Sequence, residues 1–494
     1  MQTTPAKKKR PNILLVISDQ QRWDTIGACG RQEAQTPHLD RLVSEGITCN
    51  HAFCTTPMCS PTRASILSGL FPHSHGMVAN HQARPGCDQM NLSGDVKLLA
   101  DYLLEYGYKT GYAGKWHLGT GSDRRGFRDF AVRLGDYDVD CPADNDYVQY
   151  AKKLGIELPN KQNGIEPEPS QYQQRIYTGP SARTLAEHPS SFVCDLAVDF
   201  IRRCTADDQT FCLTFSTHEP HPPFVCPQPF FSLHDPDQID LPTGWDGKSG
   251  HPWTRRPDWQ LRIASDYSES DLRKMWAAYL GSVSFVDHLF GRLMTALRDT
   301  NTLDDTLVIF TSDHGEMLGS HGLLFKGASL CEELIKVPLI VRFPRSLGKE
   351  KICDSLISHA DLVPTILETC GFDIPENLEG KSVLKEWAGN NSGSRQGLAA
   401  EFHSSNWCEP ISPLRMWRTK EFKYIESAQG DNELYDLQND SGEFHNLYGN
   451  KQYQPGLKKM QQAMNAWLRQ TGDTFPNVPM PPQTIKPKNA YKNI

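Results

Sequence analysis

The chain alternates between short apolar segments and longer polar stretches that are rich in glycine and proline. Four apolar segments have the length of a strand and contain many β-branched residues, which predicts buried strands and not buried helices. They cover residues 12–18, 108–113, 210–216 and 306–312. Between them, apolar residues recur at helical spacing over residues 36–46, 95–106, 192–201 and 270–297. Thr36 is expected to cap the first of these helices, and Asp287 to lie on a solvated face of the last. Strands that alternate with helices are typical of an α/β fold.

The pattern changes near residue 395, where shorter apolar segments and more frequent turns begin. Segments 397–402, 413–418, 422–425 and 432–436 are predicted to form a small antiparallel sheet, and residues 455–470 a helix that packs on it. We therefore expect a large α/β domain over residues 11–394 and a C-terminal α+β subdomain over residues 395–494. Residues 120–190 are polar with little periodicity, which is typical of surface loops.

Composition and charge argue against several classes of protein. The 494 residues carry a formal net charge of -8, so no nucleic-acid partner is expected and an anionic substrate must be drawn by local positive charge. No apolar run approaches the length of a membrane span, and no signal-peptide core precedes Pro11, so no membrane association is expected. If Met1 is the natural start, we expect a cytoplasmic protein, although a removed export signal would leave the same sequence.

The 14 cysteines contain no Cys-x-x-Cys pair, which argues against zinc-ribbon and thioredoxin-type chemistry. The sequence assigns neither disulfides nor an oligomeric state. The basic run at residues 7–10 is expected to be a solvated tail. The chemistry of the chain is therefore sought in the polar residues that follow the predicted strands.

The first candidate is the run Cys59-Ser-Pro-Thr-Arg63-Ala-Ser-Ile-Leu-Ser-Gly69. Pro61 suits the first turn of a helix, which places Cys59 just ahead of a helix N-terminus. Free amides and the helix dipole favour negative charge there. Arg63 adds a planar donor fork suited to a tetrahedral oxyanion. The sequence predicts an anion-binding site at this helix.

Carboxylates follow two of the predicted central strands. Asp19 and Gln20 come after the first strand, and Asp313 and His314 after the last. Open α/β sheets build their sites at the carboxyl ends of strands. A carboxylate and an adjacent imidazole can both face a metal where the chain turns, and Gly315 is expected to permit that turn. These positions predict a metal site.

Two further strand ends carry basic residues. Lys115 and His117 lie two apart after residues 108–113, so on an extended segment their side chains point the same way. His218 follows residues 210–216 within His-Glu-Pro-His. A histidine near its natural titration range can protonate a leaving group.

Together, these motifs resemble type I sulfatases of the alkaline phosphatase superfamily. The resemblance runs from Asn12 to about Asn450, with Cys-x-Pro-x-Arg, Gly-Lys-x-His, His-x-Pro-His and Asp-His in the family's order. It implies a three-layer α/β/α domain with a large mixed central sheet and a smaller C-terminal α+β subdomain with an antiparallel sheet. It further implies that Cys59 is oxidised to formylglycine, whose hydrate is the nucleophile.

The resemblance also implies a site. The implied metal ligands are Asp19, Gln20, Cys59, Asp313 and His314. The implied catalytic residues are Cys59, Arg63, Lys115, His117, His218 and Lys326, and the implied substrate-binding residues are Asn80, Lys115, His218 and Lys326. Gln20 stands where many members have a second aspartate. Asn80 matches a substrate-pocket asparagine of several branches, although an ordinary loop cap explains it equally well.

The hard oxygen ligands favour calcium as the divalent metal, while the amide and imidazole leave manganese open. The expected activity is hydrolysis of the sulfate ester of a carbohydrate, or of a small alkyl or aryl sulfate, after a formylglycine-generating enzyme has modified Cys59. One alternative is a phosphonate monoester hydrolase or phosphodiesterase of the same superfamily, whose members typically lack the Gly-Lys-x-His element. Another is an inactive sulfatase-fold protein that binds sulfated glycans.

Overall fold

The computed structural model of the chain describes residues 10–80, 91–119, 126–134, 146–153, 155, 176–246, 262–345, 351–390, 395–403 and 413–477. Residues 7–9 of the basic run and most of residues 120–175 lie outside these ranges. The strands are β1 Asn12–Ser18, β2 Ile47–Phe53, β3 Lys109–Lys115, β4 Phe130–Leu134, β5 Thr178–Pro180, β6 Phe211–Ser216, β7 Phe224–Cys226, β8 Arg262–Ile263, β9 Thr306–Ser312, β10 Leu323–Leu324, β11 Leu339–Arg342, β12 Lys351–Ser358, β13 Leu398–Phe402, β14 Leu414–Arg418, β15 Phe422–Ser427 and β16 Glu433–Asp436. The helices are α1 Pro37–Glu45, α2 Cys59–Ser68, α3 Pro72–His75, α4 Leu99–Glu105, α5 Asp146–Lys153, α6 Pro189–Ala206, α7 Glu269–Asp299, α8 Glu332–Ile335, α9 Leu362–Thr369, α10 Leu384–Trp387 and α11 Gln454–Thr471.

Eight strands form the central sheet in the order β12-β2-β11-β9-β1-β6-β3-β4. Seven of them run in one direction, and β11 runs antiparallel to both of its neighbours. All seven residues of β1 are buried, as expected for a strand that is covered on both faces. The mixed sheet predicted for the large domain is therefore confirmed.

Helices cover both faces of this sheet. Ile13, Leu15 and Ile17 of β1 pack into one apolar cluster with residues of α2, α4 and α9. Leu14 and Val16 point to the opposite face, where they join residues of α6 and the long helix α7. The alternation of one strand between two separate cores builds a three-layer α/β/α arrangement.

The strand directions bring distant parts of the sequence together. Because the seven co-directional strands end at one edge, the segments that follow β1, β3, β6 and β9 emerge side by side. Asp19, Lys115, His218 and Asp313 lie at these ends. The loop after β2 reaches the same edge and leads into α2, which begins at Cys59.

The second sheet is antiparallel, with the order β13-β14-β15-β16. Helix α11 packs on it by inserting Leu457, Met460 and Met464 against Tyr424 and Leu434. The predicted antiparallel sheet and its packing helix are confirmed, while the boundary between residues 394 and 395 remains a prediction. Among the helices of the described ranges, none is both long and apolar enough to cross a membrane.

Two local expectations were wrong. Asp287 of α7, predicted on a solvated face, is buried and accepts hydrogen bonds from the backbone N–H groups of His38 (3.2 Å) and Leu39 (2.7 Å). Thr36, predicted to cap α1, instead donates its hydroxyl to Asp40 Oδ1 at 2.9 Å. The cap of α1 therefore comes from a helix about 250 residues away in the sequence, which local pattern cannot reveal.

Acid should destabilise the folded protein through its buried imidazoles. Burial lowers the pKa of His75 to about 3, so at pH 5 this ring stays neutral in the folded state but is protonated in the unfolded chain. Stability from this residue is therefore lost as pH falls below about 6.5, by about 2 kcal/mol at pH 5. His75→Gln, which cannot titrate, is expected to lose about 2 kcal/mol less than the parent protein between pH 7 and pH 5. Urea unfolding at both pH values measures this difference, and equal losses in the two proteins would contradict it.

Candidate active site

Helix α2 carries Cys59 as its first residue and is buried along its whole length. Pro61 lies in the first turn, as predicted, and Gly69 ends the helix in a left-handed conformation (φ 75°). The backbone N–H of Ser60 donates to Asn80 Oδ1 at 3.0 Å. Asn80 therefore accepts a hydrogen bond from an amide at the N-terminus of α2, which is the contact of a loop cap, while its role in substrate binding stays a prediction.

The guanidinium of Arg63 binds both carboxylates of the site. Its Nε donates to Asp313 Oδ2 at 2.9 Å, and one Nη donates to Asp19 Oδ2 at 2.8 Å. The other Nη donates to Ser216 Oγ at 2.6 Å. Arg63, Asp19 and Asp313 are all buried, so these charge-assisted bonds lie away from competing water. The sequence indicated an oxyanion-binding arginine, whereas the geometry gives one that fixes the positions of two carboxylates.

Asp313 is held on its other oxygen as well. Its Oδ1 accepts the backbone N–H groups of Gln20 and His314, each at 2.8 Å. Residue 315 must be glycine for a reason different from the expected one. Its φ is not left-handed, but a Cβ on this residue would lie 1.9 Å from the carbonyl oxygen of Glu333. A close approach of two backbones, and not a special turn, requires the glycine.

Gln20 has a left-handed backbone (φ 64°), which is uncommon for a residue with a side chain and is found often at functional sites. Its Nε2 donates to the carboxylate of Glu316, and its Oε1 accepts from Lys326 Nζ at 2.7 Å. Glu316 is fixed in turn by the backbone N–H of Leu318 at 2.9 Å. The amide oxygen of Gln20 is thus turned toward Lys326.

A lysine, an imidazole and a carboxylate lie around Cys59. Lys326 Nζ lies 2.8 Å from Cys59 Sγ, and His314 Nε2 lies 3.2 Å from the same sulfur. Lys115 Nζ lies 2.9 Å from Asp19 Oδ2, and Asp19 Oδ1 is 3.8 Å from Cys59 Sγ. Any group attached to residue 59 would therefore lie between two lysines and two carboxylates.

Burial and charge set the ionisation of these groups. Burial opposes ionisation of Asp19, but Lys115 and Arg63 hold the pKa of its carboxyl well below the usual value. Burial lowers the pKa of His314, which favours the neutral imidazole that binds metals. Beside His218, burial raises the pKa of Glu219 to about 7, although Ser190 donates to the carboxylate. Asp19 and His314 thus favour the ionised carboxylate and the neutral imidazole, which are the forms that bind a metal.

The residues present fit a divalent cation. One ligand atom from each of Asp19, Cys59, Asp313 and His314 lies within 4.8 Å of the others. The oriented amide oxygen of Gln20 adjoins this group through Lys326. Two carboxylates, an amide oxygen and an imidazole are a donor set that both calcium and manganese accept.

The structure joins eight of the predicted site residues in one set of contacts. These are Asp19, Gln20, Cys59, Arg63, Lys115, Asp313, His314 and Lys326. His117, in a left-handed conformation (φ 58°), and the buried His218 follow neighbouring strands at the same edge. Asn80 contacts helix α2 through the backbone N–H of Ser60.

Sequence reasoning missed three residues that support the site. Ser216 binds Arg63, Glu316 binds Gln20, and His359 lies between Thr62 Oγ1 (3.2 Å) and Thr311 Oγ1 (3.1 Å). Ser216 and Glu316 belong to runs at strand ends, which is a weak signal for them. His359 follows β12, which periodicity did not identify, so no sequence signal pointed to it.

Replacing Arg63 should release the paired carboxylates. Arg63→Lys keeps the charge but loses the fork that reaches Asp19 and Asp313 together, leaving one of them buried without its partner. We expect a loss of about 3 kcal/mol in the free energy of unfolding, measured by urea denaturation in metal-free buffer.

The matched control is Arg41→Lys, since the side chain of Arg41 is 57% exposed and pairs with Glu45 on the surface of α1. This control should cost less than about 1 kcal/mol. Equal losses for the two variants would show that the fork of Arg63 does not hold the site together.

The chain is similar to known proteins along nearly its whole length. A family model described as Sulfatase matches residues 11–372, and one described as N-sulphoglucosamine sulphohydrolase, C-terminal, matches residues 319–470. The uncharacterized sulfatase YidJ of Escherichia coli (strain K12) is 29% identical over 476 residues, which cover 94% of this chain and 89% of that protein.

Two further proteins are similar over almost the whole chain. The N-acetylglucosamine-6-O-sulfatase of Bacteroides thetaiotaomicron is 24% identical over 535 residues, covering 95% of this chain and 88% of that one. Among solved structures, the phosphonate monoester hydrolase of Agrobacterium radiobacter superposes with a TM-score of 0.78 at 25% identity, covering 94% of this chain and 96% of that chain.

Proposed function

Because this chain belongs to the sulfatase family and is a sulfuric ester hydrolase, we propose that it removes sulfate from a sulfated carbohydrate by means of an aldehyde made from Cys59 and a divalent metal. The carbohydrate substrate is supported by the similarity to a protein named as an N-acetylglucosamine-6-O-sulfatase. Calcium is the proposed metal, with manganese as the alternative. A formylglycine-generating enzyme is the proposed maturation partner.

The observation that carries this proposal is the position of Cys59. Cys59 is a free thiol at the N-terminus of a buried helix, 2.8 Å from Lys326 Nζ and beside the carboxylates of Asp19 and Asp313. The surroundings suit a group that must receive an anion and a cation at once. The aldehyde hydrate, when present, supplies a hydroxyl nucleophile and a second hydroxyl through which the covalent sulfate ester is broken.

The other residues then have separate tasks. Lys115 and Lys326 bind the sulfate oxygens and reduce the repulsion between the anionic ester and its nucleophile. His218, at the end of β6, donates a proton to the leaving sugar oxygen, and His117, at the end of β3, accepts the proton that is released at residue 59. Arg63 and Glu316 keep Asp19, Asp313 and Gln20 in place. Asp19, Gln20, residue 59, Asp313 and His314 would hold the metal, which would supply Lewis-acid stabilisation of the developing charge.

The modification of Cys59 can be tested directly. Protein co-expressed with a formylglycine-generating enzyme should show an aldehyde at residue 59 by peptide mass spectrometry and should hydrolyse an aryl sulfate. Cys59→Ala should reduce this activity to background. Cys54→Ala, which removes a buried thiol five positions earlier, is the matched control and should keep both the aldehyde and the activity. An intact thiol at residue 59 of an active preparation would refute the proposal.

The metal site has a test that does not depend on turnover. Glu316→Gln removes the carboxylate that orients Gln20, so we expect divalent-metal affinity to fall by about 10–100-fold. Calorimetric titration of metal-free protein with Ca²⁺ and with Mn²⁺ measures the change and identifies the preferred ion. Unchanged affinity for both ions would contradict a metal site in which Glu316 orients Gln20 as a ligand.

A second candidate function is hydrolysis of phosphonate monoesters or phosphodiesters. The similarity of this chain to the phosphonate monoester hydrolase of Agrobacterium radiobacter supports it. The ratio of kcat/KM for an aryl sulfate to that for an aryl phosphonate monoester separates the two functions. We expect the sulfate to be preferred, because Lys115 and His117 are both present.

A third candidate is an inactive protein that only binds sulfated glycans. It requires an unmodified Cys59 and glycan affinity that does not change on chelation. The presence of every proposed ligand argues against it. A desulfation screen of defined glycans, run with the matured protein, addresses this candidate and the position of the sulfate together.

A further inference from the structure

Two cysteines face each other at the side of the central sheet. Cys49 of β2 and Cys353 of β12 are aligned partners in the parallel pair that these strands form. Both side chains are buried, and the two thiols are in hydrogen-bond contact. Within the strands that the structure describes, no other two cysteines are aligned in this way.

The surroundings make the two thiols unequal. A hydrogen bond from Cys49, with further hydrogen bonds from Ser355, lowers the pKa of Cys353 to about 7. Burial and the neighbouring Cys353 raise the pKa of Cys49 well above its usual value. A thiol that ionises near neutral pH beside one that stays protonated is the combination of attacking and resolving thiols found in redox-active pairs.

We propose that Cys49 and Cys353 are a redox-active pair that forms a disulfide across the two outermost strands at this side of the sheet. This inference goes beyond the proposed function and does not depend on the chemistry of Cys59. The spacing allows it, because aligned residues of neighbouring strands lie about 4.8 Å apart and disulfides span Cα separations of about 4.4–6.8 Å.

The position of the pair limits what must move before an oxidant reaches the buried thiols. β12 is the last strand on its side of the sheet, so among the described strands it is paired with β2 alone. The register with β2 shifts between Cys353 and Leu356, so the ladder is interrupted directly after the cysteine. Local opening of this strand, rather than unfolding of the domain, is sufficient to expose both thiols.

The oxidant class is a low-molecular-weight disulfide such as oxidised glutathione. The Cys353 thiolate attacks one sulfur of this disulfide, forms a mixed disulfide and releases one small thiolate. Cys49 then loses its proton, attacks Cys353 Sγ and releases the second small thiolate. The two protein thiols together lose two electrons and two protons, and the small disulfide is reduced to two thiols.

The bridge would join two strands that lead to the candidate active site. β2 leads to Cys59, and β12 leads to His359. The ring of His359 contacts Thr62 of α2 and Thr311 of β9. A covalent link between β2 and β12 therefore restricts the motion of both segments that hold α2 in place. Oxidation is expected to raise Tm by about 3 °C, because the cross-link closes a long loop in a large chain.

Peptide mapping of the full chain tests the proposal. The protein is treated with oxidised or reduced glutathione, quenched with N-ethylmaleimide, and digested without reduction by trypsin followed by chymotrypsin. Cleavage after Phe53 separates Cys49 from Cys54, and cleavage within residues 356–367 separates Cys353 from Cys370. We expect a linked peptide containing Cys49 and Cys353 after oxidation, its loss on reduction, and a Tm that follows the same cycle.

The variants separate this pair from other thiols. Cys353→Ser and Cys49→Ala should each abolish the linked peptide and the Tm shift, whereas Cys29→Ser, at a partly exposed thiol, should keep both. The map of the parent protein decides the question even where a variant fails to fold. Recovery of both cysteines as alkylated thiols after oxidation, or a bridge from either one to a different cysteine, would overturn the proposal.

Discussion

The candidate site depends on one guanidinium group held between two carboxylates. Asp19 and Asp313 follow neighbouring parallel strands, so their charges converge in a buried space where they would repel each other. Arg63 enters from helix α2 and binds both. This arrangement fixes the helix relative to the sheet and, with it, the position of Cys59. The cationic and anionic groups of the site are therefore parts of a single buried network, in which each charge is stabilised by the opposite one.

Much of this arrangement is visible in the sequence. β1, β3, β6 and β9 are buried strands with long apolar runs, and their carboxyl ends had to meet once the sheet was parallel. The sequence points to Asp19, Cys59 and Asp313 because each has a side chain suited to metal binding or catalysis. Each also follows a strand whose carboxyl end lies at the edge of the sheet where the site forms. The C-terminal sheet was predicted from turns and short alternating segments, which depend on local sequence alone.

What the sequence could not provide are the pairings between distant polar groups. Nothing in residue type distinguishes Glu316 as the partner of Gln20, or Asp287 as the cap of α1. The sequence around Arg63 predicts that this residue binds an anion. It does not show whether the anion is a substrate or the carboxylates of Asp19 and Asp313. The thiol pair of Cys49 and Cys353 depends on the register of two strands that lie about 300 residues apart. Such pairings are decided by tertiary packing, which periodicity does not encode.

The reversed direction of β11 has a consequence for the residues that follow β9. Because β9 and β11 are antiparallel neighbours, the chain leaves the sheet after Ser312 and re-enters it at Leu339, at the end of the sheet that carries the site. This single connection contributes Asp313, His314, Glu316 and Lys326 to the site. Almost every residue of the connection is buried, so these four side chains are held on one packed segment, and a change in its length would shift them together relative to Asp19 and Cys59.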